Sequence, residues 1–241
     1  TRKTFYDYFL TQECKAMITS YNALRVFIIS FILISCSNEN PVIKGEPKAI
    51  LIDGSGAYSR KISTNIPLSQ TFFDQGLRFA WGFYFPESIA SYQESSRLDP
   101  NHPMPYWGMA HAMGPNPNSR YARMPDDPKG EGLKAIKKAL KRIQKADPLE
   151  RRMIEAMYIF YDKESIPDPK KRDQAYLAEM RALNNEFPDD PDIAALYAGS
   201  YMSIRRWDYW DSDGRPKGET IEVAEALERI INNGHAHPGV Y

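Results

Sequence analysis

The stretch from residue 69 to residue 100 constrains the fold more than any other part of the chain. It reads SQTFFDQGLRFAWGFYFPESIASYQESSRLDP, with large side chains at helical spacing. Phe72 marks the packed face of a first helix, and Gly76 leaves room for a second helix to approach closely. Tyr92 is expected to pack back across the pair. Pro100 ends the unit, since proline cannot continue a helix, and the stretch therefore predicts a helical hairpin.

The spacing follows the consensus of the 34-residue tetratricopeptide repeat (TPR), W-x2-L-G-x2-Y…A-x3-F…P. The consensus positions fall on Phe72, Gln75, Gly76, Phe79, Ser88, Tyr92 and Pro100. Gln75 departs from the expected leucine. Wherever periodicity is clear in the rest of the chain, it is helical and interrupted by proline-marked turns. The sequence therefore predicts an all-α fold, a right-handed α-solenoid of TPR-like helical hairpins with two loop insertions.

Residues 69–241 are predicted to form this solenoid. The next helix is expected at Met104–Met113, and a first insertion then runs to about Pro128. Helical periodicity is again clear in four later segments, around residues 133–143, 154–161, 176–183 and 193–201. A second insertion, Arg205–Lys217, precedes a last helix around residues 221–231. The chain stops at HPGVY, where we expect a further helix, so we expect the natural sequence to continue.

The N-terminal region has the layout of a secretory signal peptide. Met17–Cys36 contains a polar start with Arg25 and then an apolar run that is too short to span a bilayer as a helix. Its end, LISC, resembles the lipobox of bacterial lipoproteins, which implies lipidation at Cys36. The alternatives are an uncleaved N-terminal helix and a buried apolar helix of the domain. We predict that residues 1–35 are upstream residues plus signal peptide.

Residues 36–68 are predicted to be a polar tether followed by an extended strip that covers the first hairpin. Within them, Ala49–Ile52 is a short β-like run, and a turn-prone segment, Asp53–Gly56, follows it. An exposed terminal repeat needs a cover of some kind, which is the role that we expect for this strip.

Charge balance, cysteine positions and the absence of known catalytic motifs argue against several functional classes. Lys plus Arg and Asp plus Glu both number 31, which gives no case for a nucleic-acid partner. The only cysteines, Cys14 and Cys36, precede the predicted solenoid, so neither a disulfide framework nor a cysteine-based metal site is expected there. No G-x-S-x-G motif or phosphate-binding glycine-rich loop is present. No residue is therefore assigned as catalytic, and a non-enzymatic role is favoured.

Five further segments resemble a family of exported bacterial TPR proteins. They are FDQGLR from Phe73, YWGMA from Tyr106, GPN from Gly114, WDYW from Trp207 and HPG from His237. Many relatives carry Asn-His where this chain has Tyr84-Phe85. The resemblance implies a helical-repeat fold and export, and it implies no particular activity.

The two insertions are the predicted binding surface, because insertions in repeat arrays tend to lie on one face. The candidate residues are Asn116 and Asn118 in the first insertion, and Arg206, Trp207, Tyr209 and Trp210 in the second. Trp, Tyr and Arg are enriched at binding hot spots. The alternative places Trp207 and Trp210 in the core, and this is favoured for Trp207. We expect a protein or peptide partner in the concave groove of a membrane-anchored scaffold.

The histidines suggest a second function, a metal-binding protein or metal-dependent enzyme. His235 and His237 lie near the end of the chain, His102 precedes a proline at a repeat boundary, and His111 lies within a helix. Imidazoles converging from different turns would suit zinc or copper. The alternative is that they satisfy local backbone groups in turns, and no H-E-x-x-H motif accompanies them. We therefore expect no cofactor under the favoured interpretation.

Overall fold

A computed structural model describes residues 45–114 and 127–241. These residues contain eight α-helices and no strand: α1 (Pro67–Trp81), α2 (Phe85–Leu98), α3 (Met104–Met113), α4 (Pro128–Leu140), α5 (Pro148–Tyr161), α6 (Pro169–Glu186), α7 (Pro191–Arg205) and α8 (Thr220–Asn232). A single 3-10 turn, Ile143–Lys145, follows α4. Of the described helices, none is both long and apolar enough to cross a membrane. The predicted signal peptide with Cys36 lies outside the described residues.

Proline and aspartate fix where the helices begin. Every described helix except α8 carries proline at one of its first two positions, where the missing N–H would have no helical partner anyway. Four of these helices are capped by an aspartate that accepts a backbone N–H: Asp127, Asp147, Asp168 and Asp190. Such caps typically contribute about 1 kcal/mol each. The starts of these helices are therefore determined by residues that lie next to them in the sequence.

The hairpin of α1 and α2 closes through Gly76. A Cβ atom placed on Gly76 would lie 2.8 Å from ring carbons of Tyr92, so only glycine allows this approach. The hydroxyl of Ser88 donates to the Gly76 carbonyl at 2.7 Å. The predicted close approach at Gly76 is confirmed.

Each described helix packs on the next one along the chain, and α3 also contacts α1 and α5. One hydrophobic core runs through all of them. Trp107 of α3 is buried and donates its indole N–H to the Met153 carbonyl of α5 at 3.1 Å. Tyr161 of α5 donates its hydroxyl to the Ala110 carbonyl at 2.7 Å. Large aromatic side chains thus join neighbouring helices through both packing and hydrogen bonds.

Residues 45–66, the N-terminal strip, lie across α1 and α2 without forming a strand. The β-like run at residues 49–52 is held by a side chain instead. The Gln75 amide donates to the Ile50 carbonyl at 2.9 Å and accepts from the Ile52 N–H at 2.8 Å. Gln70 binds a later part of the strip in the same way, through one carbonyl and one N–H. The glutamine at the leucine position of the consensus therefore has a structural reason.

Candidate functional site

The buried carboxylate of Asp192, in the first turn of α7, joins four parts of the chain. Its Oδ2 accepts from the Tyr58 hydroxyl at 2.7 Å and from Arg60 at 2.9 Å, both in the N-terminal strip. Its Oδ1 lies 3.0 Å from His237 Nε2 and accepts from the Trp81 indole N–H at 3.3 Å. Strip, α1, α7 and the residues after α8 therefore meet at one group.

Two carboxylates share one guanidinium in this network. Arg60 binds Asp190 at 2.8 Å as well as Asp192. Burial alone would raise the pKa of Asp192, but Arg60, His237 and the Tyr58 hydroxyl together hold that pKa well below its usual range. Burial, followed by the charge of Asp192, raises the pKa of Tyr58. Asp192 is thus ionised and Tyr58 protonated at neutral pH, which gives the carboxylate a full set of donors.

Both ring nitrogens of His237 are engaged. Nδ1 accepts the Gly239 N–H at 3.0 Å, so the hydrogen of the neutral ring belongs on Nε2, which faces Asp192. The ring also packs edge-on against Tyr58 and Trp81. In this arrangement His237 has no free lone pair with which to bind a metal ion.

The other predicted histidines lie in different environments. His102 accepts the Met104 N–H at Nδ1 and contacts the Ser63 hydroxyl at Nε2, while His235 is exposed. His111 is stacked on Trp107 and also contacts Trp81. Within the part of the chain that the structure describes, no three His, Cys, Asp or Glu side chains are grouped as a metal site. The structure thus brings His111 and His237 to the same tryptophan and leaves the other two apart.

A cavity of about 350 Å³ borders this network. Its walls come from α1, α2, α3, α6, α7 and α8, from Phe83 and from residues 238–241, and Trp81 belongs to both the network and the cavity. Most lining side chains are apolar, and none of the described residues that line it is Asp, Glu, Lys or Arg. Its size lies within the ~300–1,000 Å³ range of ligand pockets in proteins. The cavity is the candidate functional site.

Two polar groups in the cavity wall have no hydrogen-bond partner among the described residues. The hydroxyl of Tyr176, a side chain only 2% exposed, is one of them, and Nδ1 of His111 is the other. Burial lowers the pKa of His111 to about 4, so the ring is neutral at pH 7, and burial raises the pKa of Tyr176. An unsatisfied buried polar group costs about 1–3 kcal/mol, and both of these atoms are buried in the wall and are not accessible from the cavity.

Gly199, inside α7, lines the cavity beside open space. A Cβ atom built on it meets nothing within 4 Å, and Gly199 lines the cavity next to Ala195 and Ala198. Glycine inside a helix costs about 1 kcal/mol relative to alanine. No steric conflict among the described residues requires glycine here, whereas a larger side chain would occupy the cavity.

The second predicted insertion forms a separate, exposed loop. Trp207 is 77% exposed and Trp210 is 51% exposed, so the core placement favoured for Trp207 is wrong. The physical reason is the backbone: Arg206 and Trp207 both have positive φ angles, 42° and 72°, which turn the chain away from α7. Tyr209 is partly buried and packs on Tyr201. Asn116 and Asn118 lie outside the described residues, so a shared face of the two insertions stays a prediction.

Sequence reasoning did not identify the residues that matter most in the network and at the cavity. Tyr176 reads as one of several helical core positions, and Asp192 reads as an ordinary residue of a helix start. The available signal was Gly199, a glycine with no turn or cap role inside the apolar pattern AALYAGSYM. Such a glycine indicates either a close approach or an open space.

Comparison with known proteins adds no assignment to this geometry. No protein-family model, no curated protein and no solved structure matches the chain.

Proposed function

We propose that this chain is a non-enzymatic binding module that anchors an apolar side chain of a protein or peptide partner in the cavity between α1, α3 and α7. One observation carries the proposal: Gly199 lines the cavity beside open space although it costs helix stability relative to alanine. Proteins commonly retain such locally unfavourable residues where function needs them.

The binding module belongs to a TPR-like right-handed α-solenoid of about three hairpins. Two observations support this part of the proposal. The hairpin of α1 and α2 has its consensus glycine against Tyr92, and α3 contacts both α1 and α5, as alternate helices of stacked hairpins do. In such arrays the concave side is the usual place for an extended ligand.

The module is exported and held at a bacterial membrane by lipid on Cys36. The support for this is the pattern of Met17–Cys36, an apolar run that ends in LISC. Cys36→Ser should abolish incorporation of labelled palmitate and leave a precursor uncut at this site. Cys14→Ser is the matched control and should label normally. Labelling that persists in Cys36→Ser would exclude the anchor.

A peptide library displayed on phage tests the binding function. We expect selection on the parent protein to yield peptides that also bind Gly199→Ala, which adds one carbon to the cavity wall, and that do not bind Gly199→Leu, which fills it. Both variants should fold, because both replace a helical glycine by a better helix former. If the selected peptides bind Gly199→Leu as tightly as the parent, the cavity is not the binding site.

A further inference from the structure

A groove between α2, α3 and α4 has an apolar floor. Its volume is about 420 Å³, within the ~300–1,000 Å³ range of ligand pockets in proteins. The floor consists of buried apolar side chains from all three helices: Ile89, Tyr106, Met109, Met113 and Ala135. Ile89, Tyr106 and Met109 each keep 8% of their surface exposed, so the floor is recessed but accessible. Methionine side chains adapt their shape to different occupants.

The rim of the same groove is basic. Four exposed lysines line it at a spacing of three and four residues along α4: Lys134, Lys137, Lys138 and Lys141. This spacing places them on one face of the helix. Glu131 is the one acidic residue of the described chain that lines the groove. The groove therefore carries a net positive charge at pH 7.

This charge is a local excess that the described chain neutralises only in part. Basic and acidic residues number 31 each in the whole chain, whereas residues 128–145 contain seven basic residues and one acidic residue. Lys134 pairs with Glu131 at 2.6 Å. Lys137 lies 3.4 Å from Glu164, which is 82% exposed. The other two rim lysines form no ion pair with any described residue.

We propose that this groove binds an acidic, amphipathic segment of a partner protein. Asp or Glu side chains of the segment face the lysines, and its apolar side chains lie on the floor. An amphipathic helix in a groove is a common form of peptide recognition.

The groove is a different site from the cavity of the proposed function. At 100° per residue, Tyr106, Met109 and Met113 lie on one face of α3. His111, which lines the cavity, lies on the roughly opposite face. The helix α3 therefore separates the two sites, and each can be tested without the other.

The shape of the groove favours a protein segment over an anionic membrane surface. A flat surface meets the side chains that protrude, and around this groove those are the lysines. The apolar floor lies beneath them and would stay uncovered. A side chain that projects from a partner segment reaches the floor, so that burial of apolar area adds to the attraction between charges.

Two double variants with the same change in net charge test the site. Lys138→Gln/Lys141→Gln removes the rim lysines that have no ion-pair partner among the described residues. Lys170→Gln/Lys171→Gln, at the start of α6, is the matched control, because these lysines are exposed and do not line the groove. Both should fold as the parent does, since glutamine and lysine have similar helix propensities.

Phage-displayed peptides are selected on the parent protein and depleted on Lys138→Gln/Lys141→Gln. We expect the remaining peptides to be enriched in Asp and Glu and also in apolar residues. They should bind the control variant as tightly as the parent, and Lys138→Gln/Lys141→Gln about 2- to 30-fold more weakly, as the loss of two exposed ion pairs allows. Fluorescence anisotropy with the synthetic peptides measures these affinities.

Analogues of one selected peptide separate the role of charge from that of the floor. Exchange of its Asp and Glu for Asn and Gln should weaken binding. So should a rise in salt from about 0.1 M to about 1 M, which shortens the Debye length from about 10 Å to about 3 Å. Exchange of its apolar residues for serine should weaken binding as well, and unchanged affinity there would refute a role for the floor and with it the inference.

Vesicles test the competing partner. If phosphatidylglycerol vesicles bind the parent and not Lys138→Gln/Lys141→Gln, while no peptide distinguishes these two proteins, the lysines serve a membrane and the inference fails. It also fails if the selected peptides are not acidic, or if neither peptides nor vesicles distinguish the two proteins. Peptides bound in the groove should bind Gly199→Leu as tightly as the parent, so failure of the cavity and failure of the groove are distinguishable.

Discussion

A single added carbon at Gly108 should destabilise the chain, although alanine is the better helix former. Gly108 lies inside α3, and a Cβ atom on it would approach the Tyr92 ring to 2.4 Å. Carbon atoms in contact normally lie about 3.5–4.0 Å apart. The ring would therefore have to move by roughly 1 Å, and it is fully buried and already in close contact with Gly76.

Two opposing terms set the size of the effect. Overpacking a core typically costs about 1–3 kcal/mol. Replacing a helical glycine by alanine returns about 1 kcal/mol. Gly108→Ala should therefore lower the free energy of unfolding by up to about 2 kcal/mol. Gly199→Ala is the matched control, since its Cβ meets open space and it should gain about 1 kcal/mol.

Urea denaturation followed by circular dichroism measures both variants under the same conditions. The free energies of unfolding of the two variants should differ by about 1–3 kcal/mol. Because the change in helix propensity is the same in both, this difference measures the cost of the contact with Tyr92. Tyr92→Leu removes the ring, so in that background Gly108→Ala should become favourable. If Gly108→Ala and Gly199→Ala stabilise the parent equally, the close approach of Tyr92 to α3 is refuted.

Three other predictions concern the buried network, the cavity wall and the exposed loop. Asp192→Asn leaves Arg60 only partly paired and should cost about 3 kcal/mol at pH 7. The pKa of Asp192 is lowered in the folded protein, so its carboxylate stabilises the fold above the ordinary aspartate pKa near 4, and this stabilisation is lost as pH falls. The stability difference between the parent and Asp192→Asn should therefore be smaller in acid, and melting midpoints at pH 7 and pH 3 check this. The pKa of His111 is about 4 in the folded protein, against an ordinary value of about 6.5, so its protonation should lower the stability of the parent by up to about 3 kcal/mol as pH falls between these values. The difference in free energy of unfolding between the parent and His111→Phe should therefore change with pH, and a difference that is independent of pH would contradict this. Trp210→Ala should change stability by less than about 1 kcal/mol, whereas Trp107→Ala should lose about 3–5 kcal/mol, and equal losses in urea would place Trp210 in the core.

The helices of the described chain were predictable because their signals are local. Proline at the helix start, an aspartate cap and a 3.6-residue periodicity all lie within one turn of the residues they control. Met104–Met113 was predicted with the bounds that the structure gives. The contact between Gly76 and Tyr92 joins two helices and was predictable for a different reason, because the spacing of large and small residues in this stretch follows a repeat consensus.

The buried network beside the cavity was not predictable, because its contacts join residues that are far apart along the chain. Tyr58 and Asp192 are 134 positions apart, and no periodicity links them. The run at residues 49–52 has β-like composition, yet it lacks a strand partner in the described structure and pairs with a glutamine side chain. Trp207 is large and apolar, as core residues usually are. The left-handed backbone at this position turns it outward, and the sequence does not predict that conformation.

The contacts that Asp192 makes with residues before the first described helix and after the last one also bear on how the chain folds. In an open array of helical repeats each unit touches only its neighbours, so terminal units unravel independently and folding can start anywhere. Here the strip before the first helix and the residues after the last one bind the same carboxylate. Fraying at either end therefore breaks contacts at the other. The ends are coupled into one cooperative unit, and forming that coupling requires a loop closure of more than a hundred residues, which places it late in folding.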